Sequence, residues 1–363
     1  MTEYTQDQAT FREVVTKFLQ AKSTPTDVRR LMASDEGYDA DVWQQLCQEV
    51  GLAGTHIPEE YGGFGFGPVE LGIAAEEMGR HLYCGPFFSS AVMAGYAILN
   101  GDSEANKQKL LPEIAAGSTV ATLVLDSVND PNQVGRQLRV TGKELDGTAP
   151  IVTDAHIADV LLVVASGEDG LGLYSVIADA DGVKISPQQA LDPTRKLSRV
   201  AFSGAEVQKI GHLSESGLNK TWDQISVALA HEMIGGAQQL FDSTLEYTKI
   251  RVQFGRPIGS FQALKHRCAD LLLELEWAKA ATHHAAFCLA SGQEPETASM
   301  AKAMASDIYM EAARAAVQLR GGIGFTWEED THLWFKRAKA SEVFMGSPHT
   351  HRERLLSLME EAS

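Results

Sequence analysis

The chain has 363 residues, 44% of them hydrophobic, so we expect two or three structural units that share a packed core. Its formal net charge of −17 argues against nucleic acid and anionic membranes as partners, because both would repel most of the surface. The sequence has no apolar run of roughly 18 residues or more and no basic-then-apolar N-terminus, which predicts a cytoplasmic protein without a membrane span.

The N-terminal third carries helical patterns. Apolar residues recur at helical spacing in residues 11–19 and 42–50, and residues 57–67 are too rich in glycine for a helix. Residues 69–79 form a further predicted helix that contains Glu76 and Glu77. Adjacent helical carboxylates point about 100° apart, so we expect a solvated or salt-bridged pair rather than an acid/base pair.

The periodicity changes near residue 118. Runs of β-branched residues separated by Gly, Asp and Asn turns predict a β-rich unit of about 95 residues. The predicted strands are residues 119–125, 138–141, 158–164, 173–177, 183–186 and 198–202.

Long helices return at about Leu218. Residues 222–252, 261–290 and 296–320 predict helices of a bundle. Glycine and proline at residues 255, 257 and 259 forbid a continuous helix between the first two, so a rigid turn is expected there. Arg251 and Arg256 flank this turn beside a helix start, and the residues alone leave open an anion site or a solvated helix corner.

The sequence predicts neither disulfides nor a metal site. Four cysteines are scattered through helical patterns without CxxC spacing, so buried free thiols are expected at Cys47, Cys84, Cys268 and Cys288. His283 and His284 are adjacent on a predicted helix, where their side chains do not converge, and no third ligand is expected near them, so a surface or interface pair is predicted.

Three stretches together resemble the signature of the acyl-CoA dehydrogenase family. They are RVQFGRPIGSFQ at residues 251–262, LAGTHIPEEYGGFGFG at residues 52–67 and QLRGGIGF at residues 318–325. The resemblance covers nearly the whole chain in the expected order and implies an α+β fold. It further implies an N-terminal α-helical domain (residues 1–117), a middle β-barrel or sandwich domain (118–216) and a C-terminal four-helix bundle (217–363).

The same resemblance implies a FAD-dependent oxidoreductase that oxidises an acyl-CoA thioester between Cα and Cβ and passes electrons to an acceptor that the sequence does not identify. It also implies an oligomer, in which each chain contributes to its neighbour's flavin site. The matching cofactor positions are Arg251, Phe254, Phe261, Gln262, Gln318, Gly321, Gly322, Ser347 and His349.

The chain departs from the family at the catalytic base. Relatives carry a glutamate just after the glycine-rich motif or on the helix before RxQFG, whereas this chain has Met345 and Ile225 at those positions. Neither side chain accepts a proton, although the backbone N–H of Met345 remains a possible donor to the thioester oxygen. Glu232 lies two turns beyond Ile225, about 11 Å along the helix. A carboxylate paired with a basic partner is the preferred interpretation of Glu232.

The β-rich unit also departs from the family. Relatives have a threonine–glutamate–proline motif followed by Gly-Ser-Asp that closes over the flavin, whereas residues 122–133 read TLVLDSVNDPNQ. Relatives place a tryptophan-isoleucine-threonine against the flavin ring, whereas this chain has Ile151, Val152 and Thr153. The residues expected to contact the flavin of the same subunit are therefore replaced, while those expected to contact a neighbour's flavin match the family.

Three hypotheses follow. The first is a subunit of a heteromeric acyl-CoA dehydrogenase, such as a heterotetramer, whose homologous partner supplies the base; such paired subunits resemble those that act on bulky acyl-CoAs in lipid or steroid catabolism. The second is a self-sufficient homo-oligomer with an unusual base such as Glu232. The third is a non-catalytic acyl-CoA-binding or scaffold protein.

Overall fold

A computed structural model describes residues 4–361 as a mixture of long helices and one large sheet. The helices are α1 (Gln6–Lys22), α2 (Pro25–Ala33), α3 (Ala40–Gln48), α4 (Pro68–Arg80), α5 (Gly95–Asn100), α6 (Glu104–Ala115), α7 (Glu215–Ile250), α8 (Gln262–Ser291), α9 (Glu296–Arg320), α10 (Thr331–Val343) and α11 (Pro348–Glu361). The strands are β1 (Ala121–Val124), β2 (Arg139–Thr141), β3 (Glu144–Thr153), β4 (Val160–Gly167), β5 (Gly170–Ile177), β6 (Val183–Gln188), β7 (Leu197–Glu206), β8 (Gln208–His212), β9 (Val252–Gln253) and β10 (Arg256–Pro257). The predicted α+β class is confirmed.

The described residues divide into two compact units. The first contains the chain up to Thr26, then Gly72–Tyr83 and the residues from Ser226 onward; the second contains Asp27–Leu71 and Cys84–Ile225. The three-part division at residues 117 and 217 remains a prediction. Within residues 4–361, no helix is both long and apolar enough to cross a bilayer.

Helix α9 is the buried centre of the first unit. It packs against α8, α10 and α11, and most of its residues are buried. Alanine and serine dominate its buried positions, and these small side chains allow neighbouring helices to approach closely on several sides. A π-helical segment, Phe87–Ala94, is the corresponding fully buried helical element of the second unit.

Two glycines allow α4 and α7 to cross at backbone distance within the first unit. A Cβ atom added to Gly79 would lie 1.8 Å from the carbonyl oxygen of Glu232, and one added to Gly235 would lie 1.8 Å from that of Glu76. Because both obstacles are backbone atoms, neither helix can accommodate a side chain at the crossing without moving.

The sheet of the second unit has the strand order β6-β7-β3-β2-β4-β5-β8, with β1 beside β4. Strand β4 pairs antiparallel with β5 along one edge, and β1 and β2 pair with it in parallel along the other. Residues 161–165 of β4 are all buried, as expected for a central strand covered on both faces.

Several predicted bounds need correction. Strand β3 was not predicted because two register shifts against β7 interrupt its alternating pattern, and β8 is only five residues long. Helix α7 begins seven residues before Trp222, because the side-chain oxygen of Ser214 accepts the backbone N–H of Gly217 and caps the helix. Val252 lies in a strand rather than in this helix.

One side-chain expectation is corrected and another is confirmed. The cysteines are free thiols, but Cys268 is half-buried while the other three are buried. Glu76 and Glu77 are salt-bridged, which is one of the two predicted alternatives, and both are buried. Both contact Arg12 on α1, which the sequence could not predict because the partners are more than 60 residues apart.

We expect Gly235→Ala to lower the free energy of unfolding by roughly 1–3 kcal/mol, because the methyl group overlaps the Glu76 carbonyl oxygen. Urea denaturation measures this change. Gly322→Ala is the control, since its added Cβ meets no atom within 4 Å. A Gly235→Ala variant stabilised by about 1 kcal/mol, as helix propensity alone predicts, would contradict the close crossing.

Candidate functional site

A tight β-hairpin after α7 presents the first group of predicted site residues. Strands β9 and β10 pair antiparallel with Gln253 opposite Arg256, so Phe254 and Gly255 form the two-residue turn. Both turn residues have left-handed backbone angles, with φ of 53° and 78°. This combination is typical of a type I′ hairpin. Positive φ is unusual for a bulky aromatic residue, so the turn holds Phe254 in a strained conformation.

The hairpin exposes an aromatic and a cationic side chain. Phe254 is 91% exposed, and its ring lies edge-on to that of Phe261, with 6.1 Å between centroids. The Arg256 guanidinium lies 4.1 Å from the centre of the Phe261 ring. Arg251 is exposed, and its side chain has no hydrogen-bond or ion-pair partner within residues 4–361. Gln262 is exposed as the first residue of α8. These groups are suited to binding an anion attached to a planar group.

The glycine-rich turn after α9 presents the second group. Gly321 has φ of 66°, and added Cβ atoms at Gly321 and Gly322 would meet nothing within 4 Å. The Gly321 N–H donates to the carbonyl oxygens of Gln318 and Val317, so this glycine also ends the helix. The backbone is therefore open to a ligand on its outer side, and the exposed Gln318 lies one turn earlier.

Arg320 joins the ends of α7 and α9. Its guanidinium donates to the hydroxyls of Thr244 at 2.7 Å and Ser243 at 3.0 Å, and to the Glu329 carboxylate at 2.9 Å. Its charge also lies 5.5 Å from the centre of the Tyr247 ring. The structure thereby brings the hairpin and the glycine-rich turn to the same end of the first unit.

Ser347 and His349 do not join that group. The Ser347 hydroxyl accepts the backbone N–H of Thr350 at 3.2 Å and caps α11, and the His349 side chain is 84% exposed. Helix α11 contacts α9 at Ser299, whereas the glycine-rich turn follows the last residue of α9. Twenty-one helical residues separate these points, which is about 30 Å. The predicted cofactor positions therefore form two separate groups.

Met345 lies in a short loop that is fixed on both sides. The residue is fully buried with φ of 57°, and its carbonyl accepts a hydrogen bond from His351 Nε2 at 2.8 Å. Lys302 Nζ on α9 donates to the carbonyls of Ser341 at 3.1 Å and Gly346 at 3.2 Å. Within residues 4–361, the backbone N–H of Met345 makes no hydrogen bond. The N–H is therefore a buried donor without a partner in this part of the chain.

Lys302 and His351 are positioning residues that the sequence analysis missed. Burial lowers the pKa of Lys302 to about 7, and it lowers that of His351 to about 3 with help from the Lys302 charge. The one available signal was a lysine among the small buried residues of α9. The pattern indicated a buried amine but did not show which carbonyl oxygens accept its hydrogen bonds.

The two remaining base candidates are engaged elsewhere. Ile225 is fully buried in the second unit. Glu232 is 5% exposed, and its Oε1 accepts from Arg337 Nη1 at 2.9 Å. Arg337 is itself 2% exposed, so each charge compensates the other. The preferred interpretation of Glu232 as an ion-paired helix carboxylate agrees with this geometry, since proton uptake would remove the negative charge that faces the guanidinium.

Within the second unit, the segments that relatives use for the flavin are engaged in the fold. The Asp126 carboxylate accepts backbone N–H groups of Gly135 at 2.7 Å and Gln137 at 2.5 Å, which folds residues 126–137 back on themselves. Val152 belongs to the hydrophobic core of the sheet. The Thr153 carbonyl accepts the Thr122 hydroxyl at 2.7 Å.

Comparisons with known proteins match nearly the whole chain. The model of the acyl-CoA dehydrogenase N-terminal domain matches residues 5–118, and that of the C-terminal domain matches residues 220–358. The chain is 35% identical over 359 residues to acyl-CoA dehydrogenase IpdE2 of Mycobacterium tuberculosis, covering 98% of each protein. A structure of a variant of the steroid ACAD Tcur3481-Tcur3483 superposes with a TM-score of 0.89 at 28% identity, covering 98% of both chains. The ChsE4-ChsE5 complex from Mycobacterium tuberculosis shares the fold, with a TM-score of 0.90 at 24% identity over 99% of this chain and 98% of that one.

We expect Glu232→Gln to lower the free energy of unfolding by about 3–5 kcal/mol, because it removes the carboxylate charge 2.9 Å from the buried Arg337 guanidinium. Adding Arg337→Met should restore part of the loss in urea denaturation. Glu246→Gln is the control, since its exposed pair with Lys249 contributes under about 1 kcal/mol. Unchanged stability combined with abolished turnover would instead identify Glu232 as a catalytic base.

We also expect a pH-dependent contribution from Lys302. Its folded pKa of about 7 lies below the ordinary 10.5, so the unfolded chain binds more protons between these values and stability rises with pH in that window. The unfolding free energy of the wild type should therefore rise from pH 7 upward relative to that of Lys302→Met, by up to about 1.4 kcal/mol per pH unit. Urea denaturation across this window measures it, with the exposed Lys265→Met as control. Parallel pH profiles for wild type and Lys302→Met would contradict the burial effect.

Proposed function

The chain belongs to the acyl-CoA dehydrogenase family, and we propose that it acts as one subunit of a heteromeric enzyme whose homologous partner supplies the catalytic base. Members of this family are FAD-dependent oxidoreductases that act on acyl-CoA. In this proposal the partner supplies the catalytic base, and this chain supplies the flavin contacts at the hairpin and the glycine-rich turn.

The reaction needs a base at the α-carbon and stabilisation of the thioester oxygen. Bound FAD supplies the hydride acceptor for Cβ. Met345 and Ile225 occupy the two base positions of the family and cannot take the proton. The unpaired N–H of Met345, held by the contacts of Lys302 and His351 around its loop, is suited to donate to a thioester oxygen.

The exposed hairpin carries the proposal. Phe254 is held outward at 91% exposure in a strained backbone conformation, beside the unpaired Arg251. Exposing a large aromatic side chain to water is unfavourable, and such strain is typical of sites that contact a partner or ligand. Arg251 fits a pyrophosphate, and the open backbone at Gly321 and Gly322 fits a closely approaching dinucleotide. These residues are therefore suited to a FAD bound mainly by another subunit.

The second unit supports the same division. Asp126 already accepts backbone N–H groups of its own loop, so that segment is committed to the fold rather than to a ligand. Ile151 stands where relatives have tryptophan and offers no aromatic plane for a flavin ring, and the next residue, Val152, packs in the sheet core. We infer that this chain completes its partner's flavin site and does not hold a flavin ring of its own.

We further propose a bulky acyl-CoA, such as a CoA thioester of a steroid fragment, as the substrate. A relative of 28% identity over nearly the full chain is described as a steroid ACAD. This substrate class depends on that likeness rather than on a cavity of this chain.

Flavin loading tests the proposal. The chain expressed alone should contain little FAD and show no acyl-CoA oxidation, whereas co-expression with a homologous chain that has glutamate at the position of Met345 should give about one FAD per pair. In the pair, Arg251→Ala should remove most of the flavin absorbance, because it removes the pyrophosphate's countercharge. Arg139→Ala, an equal charge change at an exposed sheet position, should not.

Two outcomes would overturn this assignment. One FAD per chain with full turnover by the chain alone would identify a self-sufficient enzyme. Thioester binding without flavin reduction, even with the partner present, would identify a non-catalytic acyl-CoA-binding protein. Thermal melting of each variant separates loss of FAD from loss of fold.

A further inference from the structure

Three potential metal ligands from three different helices meet in the first unit. Glu76 on α4, His231 on α7 and His283 on α8 place one ligand atom each within 4.8 Å of one another. We propose that these residues, hereafter the Glu76–His231–His283 cluster, bind a divalent transition metal such as Zn²⁺. None of the flavin-site positions of this family belongs to the cluster, and it is independent of the proposed division of catalysis.

His231 provides the first argument. The residue is 2% exposed, and neither of its ring nitrogens has a hydrogen-bond partner within residues 4–361. A buried polar group without a partner costs about 1–3 kcal/mol, so an unsatisfied imidazole needs a reason. The missing side chain of Gly72, one turn before Glu76, leaves room for the His231 ring beside α4. A metal bound to this imidazole would supply the missing partner.

The two imidazoles have a suitable separation. The His231 and His283 rings are nearly parallel, at 14°, with centroids 5.3 Å apart. Two imidazoles that bind one tetrahedral Zn²⁺ through nitrogens at about 2.0–2.1 Å have ring centres about 5 Å apart. The separation is therefore suitable for one shared ion, and because the rings are stacked, binding requires the half-buried His283 ring to rotate toward it.

The carboxylate is already oriented. Arg12 Nη2 lies 2.6 Å from Glu76 Oε1, and the other oxygen, Oε2, lies 3.4 Å from His283 Nε2. The contact with Arg12 therefore fixes the side chain and leaves Oε2 on the side of His283, where it could bind an ion.

Local charge does not oppose a cation. Arg12 contacts two carboxylates, those of Glu76 and Glu77, so one positive charge faces two negative ones. The neighbouring cations Arg80 and Lys279 are paired with acids. An Arg–carboxylate contact on the non-ligating oxygen is also the kind of outer contact that orients a metal ligand.

The cluster has an oxygen neighbour and an entry path. The Tyr4 hydroxyl lies 3.1 Å from His283 Nε2. A cavity of about 670 Å³, lined in part by Tyr4, Glu76 and His283, is open to solvent. An ion can therefore reach the cluster, and water or the phenol oxygen can complete its coordination.

The structure revises the prediction that no metal ligands lie near His283. The adjacent histidines diverge as predicted: His284 contacts Glu294 at 3.1 Å, while His283 contacts Glu76. The expectation that His283 lacks further ligands is wrong, because Glu76 and His231 approach it from other helices. His284, Cys288 and Glu294 form a second, more exposed group that serves as an internal comparison.

Metal uptake tests the proposal. The full chain, stripped with a chelator, is incubated with Zn²⁺ alone, gel-filtered and analysed by mass spectrometry for metal content. We expect about one Zn²⁺ per chain, and at least a tenfold weaker affinity in His283→Gln and His231→Leu. Zn²⁺ should raise the melting temperature of the wild type but not of His283→Gln, whose half-buried position leaves the fold intact.

Two control variants locate the ion. His266→Gln removes an exposed histidine from the same helix and should leave uptake unchanged. His284→Gln should also leave it unchanged. With Co²⁺, the spectrum should show nitrogen and oxygen ligation without a thiolate charge-transfer band. Absence of stoichiometric uptake would overturn the proposal, and so would a thiolate band or uptake that depends on His284 but not on His283.

Discussion

Burial of α9 on most of its surface is the constraint on which the first unit depends. Small side chains satisfy it along most of the helix, because they let neighbouring helices approach closely. The two buried basic side chains of this helix, Lys302 and Arg320, then need internal partners. Lys302 finds them in the carbonyls around Met345, and Arg320 finds them in hydroxyls near the end of α7. The same packing requirement thus positions two loops that carry predicted site residues.

Some arginines of this chain are buried and ion-paired, whereas Arg251 is exposed, and this difference bears on function. Arg320 and Arg337 are buried and ion-paired. Arg251 is exposed and has no partner within residues 4–361. A guanidinium that the fold leaves unused, beside an outward-held Phe254, is suited to recognition rather than to stability. This contrast is the physical basis for assigning the hairpin to a neighbour's cofactor.

Buried carboxylates of the first unit illustrate why burial alone does not identify a base. Glu232 and Glu76 are both nearly inaccessible to solvent, yet each is ion-paired with an arginine. A catalytic carboxylate needs a raised pKa and access to the substrate. Glu76 shares Arg12 with Glu77, so its carboxylate is held in an ion pair and does not meet these requirements for a base.

Local patterns determined much of this protein. The sequence predicted the α+β class, the positions of six strands, the bounds of α9 and the break at Gly255, because each depends on periodicity or on backbone restrictions of glycine and proline. It missed β3, where register shifts against β7 hide the alternation. Motifs in single segments were sufficient to identify the family.

Contacts between distant segments were decided only by the tertiary structure. Lys302 reaches carbonyls about 40 residues away, Glu232 pairs with an arginine 105 residues away, and His283 meets Glu76 across 207 residues. No local pattern encodes which side chains meet across such separations, because helix packing sets their partners and burial then sets their charge. The sequence therefore determined the family and the segments that we propose contact the cofactor, whereas the tertiary structure decided which polar residues are committed to the fold and which remain available for binding.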